Sequence, residues 1–291
     1  MLGALIKTAR PYQWQKNLIV FAALIFAHKF TDPKSIALAL LAFSTFCLAS
    51  SAVYFLNDIS DREKDRVHPS KKNRPIASGE LSLPLAWLAA VVLLGAAFIL
   101  GTIIDFPFLL LMAGYILINI AYNIGLKNIV IIDVMSVSIG FVLRAAAGAA
   151  AIGVPISSWL LVCTTLLALF LGFAKRRHEL VILGESAVSH RQSLAHYSPY
   201  FLDQMISVVT ASTVVAYAFY TLSPEIQHKF HSKNLILTIP FVLYGIFRYL
   251  YLVHQKEEGG NPARLMITDL PLLICVTLWI ITVIAIMQFE I

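Results

Sequence analysis

Residues 57–79 read NDISDREKDRVHPSKKNRPIASG, an island of charge in a chain that is otherwise mostly apolar. A helix turns about 100° per residue, so Asn57, Asp58, Asp61 and Asp65 fall within roughly 100° of arc and form one acidic face. Tyr54 joins that face one turn earlier. Past the helix, Pro69 and Pro75 interrupt regular structure, and Lys71, Lys72 and Arg74 crowd the connection. Carboxylates at helical spacing beside a basic loop can hold Mg²⁺ together with a phosphate-bearing substrate. The competing reading is a solvated helix end with local ion pairs, such as Asp61 with Lys64. It accounts poorly for four polar groups on one face at the mouth of an apolar run, where carboxylates are costly unless partnered.

Outward from this stretch the chain is oil. Of 291 residues, 59% are hydrophobic and 13% charged, against about 25% charged in a soluble domain. Mean hydropathy is +0.79. The apolar runs are about 20 residues long and do not alternate, which excludes a β-barrel and predicts an all-α integral membrane protein. About nine transmembrane helices are expected, at 14–30, 36–57, 82–103, 106–125, 129–152, 156–174, 201–222, 234–254 and 269–289. They would form a single polytopic domain over 1–291, with polar loops at about 58–80, 126–128, 175–200 and 255–268. Cys47, Cys163 and Cys275 lie inside apolar runs and read as small buried hydrophobes. No stretch reads as a cleavable signal peptide.

The formal charge of +6 does not imply nucleic acid, because of where the cations sit. Seventeen of the 22 Lys and Arg residues fall on one side of the expected spans. Lys29, Lys34, Lys229 and Lys233 fall on the other, and Arg144 lies within a span. This asymmetry predicts a plasma (inner) membrane protein with its N-terminus and charged loops cytoplasmic and its C-terminus outside. Self-association is left open.

Other polar groups mark candidate positions. Tyr122, Asn123 and Lys127 end the fourth expected span and Asp133 begins the fifth. Lys127 can bind phosphate as a point charge or serve as an interfacial anchor. Arg144 lies eleven residues after Asp133, about 16 Å further along the same helix face, with Gly140 between them. An intramembrane Arg needs an anion, a cavity or a polar partner from another span. Lys175, Arg176 and Glu179 open the third polar loop and Glu185 follows; Arg176 and Glu179, at i and i+3, can form a local ion pair. Arg191, Gln192, Ser193 and Tyr197 are further candidates for that site. Arg248 closes the eighth span, and Asp269 reads as an N-cap of the ninth. The histidines show no metal-ligand spacing. The run AAAGAAAIG (145–153) sits inside a span and reads as close helix packing, not as a phosphate loop.

The motif NDxxDxxxD followed by RPxxSG resembles the first signature of the UbiA-type intramembrane prenyltransferase superfamily. Four segments carry a closer resemblance to its decaprenyl-phosphate phosphoribosyltransferase branch. These are RPYQWQKN (10–17), NDISDREKDRVHPSKKNRPIASG (57–79), YNIGLKNIVIIDVMSVSIGFVLRAAAG (122–148) and KRRHEL (175–180). The resemblance implies nine helices around a central cavity that opens to the cytoplasm and sideways to lipid. It implies Mg²⁺ held by Asn57, Asp58, Asp61 and Asp65, with Asp58, Asp61 and Asp65 catalytic. It implies substrate contacts from Lys16, Asn57, Lys71, Arg74, Tyr122, Lys127, Arg144, Lys175 and Arg176. Members that act on aromatic acceptors usually carry a second aspartate-rich motif after the sixth helix. Here that place reads KRRHE, with only Glu179 and Glu185 acidic nearby, which suits two substrates that both carry phosphate. The branch pattern also expects a basic residue after Asp269, where this chain has Leu270.

The function so implied is Mg²⁺-dependent transfer of 5-phosphoribose from 5-phosphoribosyl 1-pyrophosphate to a polyprenyl (decaprenyl-type) phosphate, with release of pyrophosphate. The alternative is transfer of a prenyl group from a prenyl pyrophosphate to an aromatic or other acceptor, which the same first motif serves. A transporter or channel is a third reading. The concentration of charge in the loops, with Arg144 alone deep in a span, argues against it.

Overall fold

The computed structural model describes residues 1–67, 71–183, 192–230, 232–260 and 262–289, and among them every regular element is helical. The expected candidates Pro69, Glu185 and Arg191 lie outside the described residues. Eight helices are long and apolar enough to cross a membrane. They are α3 (Pro33–Ser60), α6 (Leu83–Ile104), α7 (Phe106–Ile124), α8 (Ile132–Ala151), α9 (Ser158–Leu183), α10 (Pro199–Leu222), the segment Asn234–Gln255, which ends in α12 (Ile239–Gln255), and α14 (Leu270–Phe289). The shorter helices are α1 (Leu2–Ala9), α2 (Ala22–Phe26), α4 (Arg62–Val67), α5 (Pro75–Ser78), α11 (Pro224–Lys229) and α13 (Pro262–Thr268). The chain is a multi-pass membrane protein.

Two expected boundaries moved. The first expected span, 14–30, is a 3-10 segment (Pro11–Phe21) running into α2, which ends at Phe26. With rises of about 2.0 and 1.5 Å per residue, this rod is roughly 30 Å long, comparable to a bilayer core. Added to the eight long helices, it accounts for the expected count of about nine. At the other discrepancy, α9 does not stop at residue 174 but runs on to Leu183. Lys175 and Arg176 both reach Glu179 from the preceding turn, so the charged residues prolong the helix rather than open a loop.

Contacts divide the chain into two compact units: residues 1–126 with 139–156, and residues 127–138 with 157–291. The boundary falls inside α8. In the first unit α3 packs most extensively on α6, and small side chains allow it. Ala42, Ala49 and Ala52 of α3 and Ala86, Ala90 and Ala97 of α6 are fully buried. The large residues of α6, among them Leu88, Val91, Val92 and Ile99, point outward. That inversion of soluble-protein packing suits a lipid surround, where the outside is as apolar as the core. Asp32 starts α3 as an N-cap, accepting bonds from the Ser35 amide (3.0 Å) and hydroxyl (2.5 Å), with Pro33 at the first helical position. In the second unit Val134, Phe170, Phe173, Leu202, Ile206, Tyr249 and Leu272 form the core.

Candidate active site

The first unit holds the acidic face. Helix α3 ends at Ser60, Asp61 forms the C-cap, and the Asp65 amide donates back to the Asp61 carbonyl at 2.8 Å. Helical spacing therefore survives across the break into α4. Asp58 and Asp65, seven residues apart, are both buried and turned the same way. One nitrogen serves both: Arg74 Nη1 donates to Asp58 at 3.1 Å and to Asp65 at 2.7 Å. Arg10 adds a 2.6 Å bond to Asp58, and Asn57 donates to the same carboxylate at 3.4 Å. Burial holds the Asp65 carboxyl above its ordinary value, with Arg74 and then Lys71 offsetting only part of that rise. Asp61 is partly exposed at the turn.

Local chemistry explains how the basic partners arrive. Pro75 begins the short α5 with Arg74 as its N-cap in extended backbone, which turns the loop back beneath α3. Arg10 occupies the left-handed region (φ 54°) between α1 and the 3-10 segment and stacks over Tyr54 at 4.8 Å. The sequence reading missed Arg10 as a partner of the acidic face. Its signal was the RPYQWQKN segment, but nothing in that segment says which distant carboxylate it meets.

A second buried polar group lies deeper in the same unit. The 3-10 segment has three residues per turn, so Trp14, Asn17 and Val20 share one row. Trp14 donates to Ser51 at 3.0 Å. The Asn17 amide donates to Ser50 at 3.2 Å, and its oxygen accepts 2.8 Å from Arg144 Nε. Val20 lies against Gly148, where a Cβ would collide with the Val20 carbonyl. Arg144 also donates to the Tyr115 hydroxyl at 2.8 Å and the Gly140 carbonyl at 3.1 Å, and it sits over the Tyr115 ring at 4.3 Å. All these acceptors are neutral. A guanidinium only 6% exposed thus bonds three neutral groups, none of them a counter-ion. Asn17 and Tyr115 were not candidates from sequence: Tyr115 is one polar residue in an apolar run, and nothing in RPYQWQKN says that Asn17 meets a guanidinium 127 residues away.

The second unit holds the other cationic candidates. Asp133, with no exposed surface, accepts from Arg176 Nε (2.8 Å), the Tyr197 hydroxyl (2.8 Å) and the Ser193 hydroxyl (3.3 Å). Arg176 also donates to Glu179 at 2.6 Å, and the Lys175 ammonium stands 3.9 Å from Glu179. The local Arg176–Glu179 pair expected from spacing is therefore present, but it belongs to a larger buried network. Arg176 is held inside that network, and Lys175 is the more exposed cation. Lys127 stands in a 3-10 turn (Leu126–Asn128) just before α8, partly exposed. Tyr197 accepts from the Ile131 amide at 2.7 Å, and burial drives its hydroxyl pKa upward. Ile131 has φ 69°, a left-handed conformation that costs a β-branched residue about 1–3 kcal/mol. Asp269 is an N-cap as expected, accepting from the Leu272 amide at 2.9 Å, and it also pairs with Arg248 at 2.7 and 3.1 Å. Lys16 and Tyr122 lie in the first unit, partly exposed, on the 3-10 segment and the last turn of α7.

The profile of the UbiA prenyltransferase family matches residues 18–270. The chain belongs to that family. A decaprenyl-phosphate phosphoribosyltransferase of Mycolicibacterium smegmatis is 32% identical over 303 residues, covering 100% of this chain and 94% of the relative. One from Mycobacterium tuberculosis is 32% identical over 294 residues, covering 99% and 96%. A UbiA homolog from Archaeoglobus fulgidus, solved bound to DMAPP and Mg²⁺, superposes with a TM-score of 0.74 at 22% identity over 98% of this chain and 99% of that one. The all-helical UbiA fold is thus shared from end to end. Among the described residues of this UbiA chain, no three His, Cys, Asp or Glu side chains are grouped as a metal site. The expected ligands Asp58 and Asp65 instead share a guanidinium. Their chemistry still fits Mg²⁺: two buried carboxylates meeting at one point, beside the carboxamide of Asn57, are hard oxygen donors.

Proposed function

We propose that this UbiA chain transfers 5-phosphoribose from 5-phosphoribosyl 1-pyrophosphate to a polyprenyl phosphate, releasing pyrophosphate, at the inner face of a plasma membrane. The observation that carries the reading is the shared contact of Asp58 and Asp65 with Arg74, completed by Arg10. Two carboxylates and two guanidiniums make a cluster with no net charge. A divalent cation added to it creates an excess of positive charge that pyrophosphate cancels. The cluster is therefore suited to a metal and its anion together, not to a metal alone. The choice of a phosphoribosyl donor is supported by relatives of that name, 32% identical over nearly their whole length.

Asp58 and Asp65, with Asn57 and Asp61, would hold Mg²⁺, which when bound supplies charge neutralisation at a departing pyrophosphate. With Mg²⁺ held there, Arg74 would be the residue to offer its fork to a phosphate oxygen, and Lys71 lies close enough to Asp65 to assist. Arg10 stays on Asp58 and keeps that side chain oriented. Lys127 and Lys175 bind phosphate as point charges, with Arg176 kept in place by Asp133. Arg144 supplies a deeper positive charge. The acceptor phosphate is already anionic, so it attacks the anomeric carbon without a general base.

Purified protein in detergent, given Mg²⁺ and a polyprenyl phosphate, should consume 5-phosphoribosyl 1-pyrophosphate and form lipid-linked phosphoribose. Turnover of a prenyl pyrophosphate instead, with no phosphoribosyl lipid at any chain length, overturns the reading.

A further inference from the structure

The turn between α7 and α8 holds a β-branched residue in the left-handed region. Ile131 is left-handed (φ 69°), and the bonds around it are crowded: Ile132 to the Val130 carbonyl at 2.8 Å, Asp133 to Ile129 at 3.0 Å and Met135 to Ile131 at 2.9 Å. A β-branched residue does not adopt that conformation unless its surroundings impose it. The Tyr197 hydroxyl meets the requirement, accepting from the Ile131 amide at 2.7 Å and donating to Asp133 at 2.8 Å. Asp133 is tied in turn to Arg176 and Ser193, and Arg176 to Glu179. The strained turn is thereby bolted to α9, which carries Lys175, and four residues before Ile131 stands Lys127.

We propose that Tyr197 is a positioning residue that uses Asp133 as its anchor to hold the Ile131 turn in its left-handed form, fixing where Lys127 is presented to a substrate phosphate. The inference rests on the reading of Lys127 as a phosphate ligand, and it goes further by naming what sets that ligand's place. A lysine on a free turn spreads its charge over many positions, whereas one on a clamped turn binds phosphate with less loss of freedom. Ser193 serves the anchor, since its hydroxyl donates to Asp133.

The test compares Tyr197→Phe, Ile131→Gly, the double variant and Lys127→Ala, in full-length protein in detergent. Hydrogen exchange over residues 126–134 reads the clamp itself: Tyr197→Phe should speed exchange of the Ile131 amide. Tyr197→Phe should also raise KM for the phosphate-bearing substrate that Lys127→Ala affects, by about tenfold, with kcat moved much less. Glycine adopts positive φ without strain, so the double variant should recover part of that loss. A merely structural role for Tyr197 gives no such rescue. Unchanged exchange at Ile131 in Tyr197→Phe, or a double variant no better than Tyr197→Phe, overturns the clamp. Faster exchange in Tyr197→Phe together with an unchanged KM in Lys127→Ala supports the clamp and removes the phosphate reading of Lys127.

Discussion

Asp58 accepts a 2.6 Å bond from Arg10, which lies 48 residues earlier in the chain. This contact gives Asp58 a cation that does not depend on the 71–74 loop. Among the described residues, Arg10 and Arg74 both bond Asp58, and of these two Arg74 is shared with Asp65. The division matters for ligand binding, because Arg74 can leave while Arg10 stays.

Mg²⁺ alone and pyrophosphate alone should each raise the thermal unfolding temperature little, and the two together should raise it strongly. At about 100 times the dissociation constant, the joint ligand is worth about 2.7 kcal/mol. In Arg74→Ala, Asp58 and Asp65 lose their shared cation, and Mg²⁺ alone should then stabilise. Without Mg²⁺ the variant should be less stable by about 2 kcal/mol, below the range for fully buried pairs because Arg74 is a quarter exposed. Fluorescence-detected unfolding with each ligand combination checks both statements. Equal response of wild type and variant to Mg²⁺ would remove the shared-cation account.

Arg144 should separate activity from stability. Arg144→Met removes a buried charge that has no carboxylate partner among the described residues, so its cost is confined to the hydrogen-bond partners Asn17, Tyr115 and the Gly140 carbonyl. Turnover should nevertheless fall by about 100-fold or more, as expected for loss of a charge that meets an anion. Asn17→Asp would hand Arg144 a carboxylate, cancelling its charge while keeping or raising the unfolding temperature. If that variant keeps full turnover, the positive charge of Arg144 serves packing alone.

Gly148 is a steric requirement. Any Cβ there meets the Val20 carbonyl, so Gly148→Ala pushes the 3-10 segment off α8 and disturbs Asn17 one turn away. The expected loss is about 1–3 kcal/mol, read as a lowered unfolding temperature. Retained stability with unchanged activity would show that the segment is not seated by this contact.

The Arg248–Asp269 pair should leave a signature in acid. Arg248 and the Leu272 amide hold the Asp269 carboxyl below its ordinary value of 3.8. The folded state therefore binds this proton less readily than the unfolded chain does. Stability from the group is present in full above pH 3.8 and is lost as pH falls through the lower folded value. Arg248→Met should be less stable than wild type at neutral pH, and the gap should narrow as the pH drops below 3.8. A gap independent of pH would mean that Arg248 acts through packing and not through the carboxylate.

The sequence by itself determined whatever depends on spacing along one helix. Apolar runs gave the membrane-spanning helices, Asp58 and Asp65 at seven residues apart gave the buried acidic face, and Arg176 with Glu179 gave their ion pair. It misjudged the end of α9, since Lys175 and Arg176 looked like a loop but pair within the helix. The partners that complete each polar group come from far away: Arg10 for Asp58, Asn17 for Arg144 across 127 residues, Asp133 for Arg176 across 43, and Tyr197 for Ile131 across 66. Helix geometry fixes neighbours three, four and seven residues apart regardless of the rest of the chain. Contacts between helices depend on which faces pack and at what depth, and small residues such as Gly148 decide that only once the partner backbone is in place.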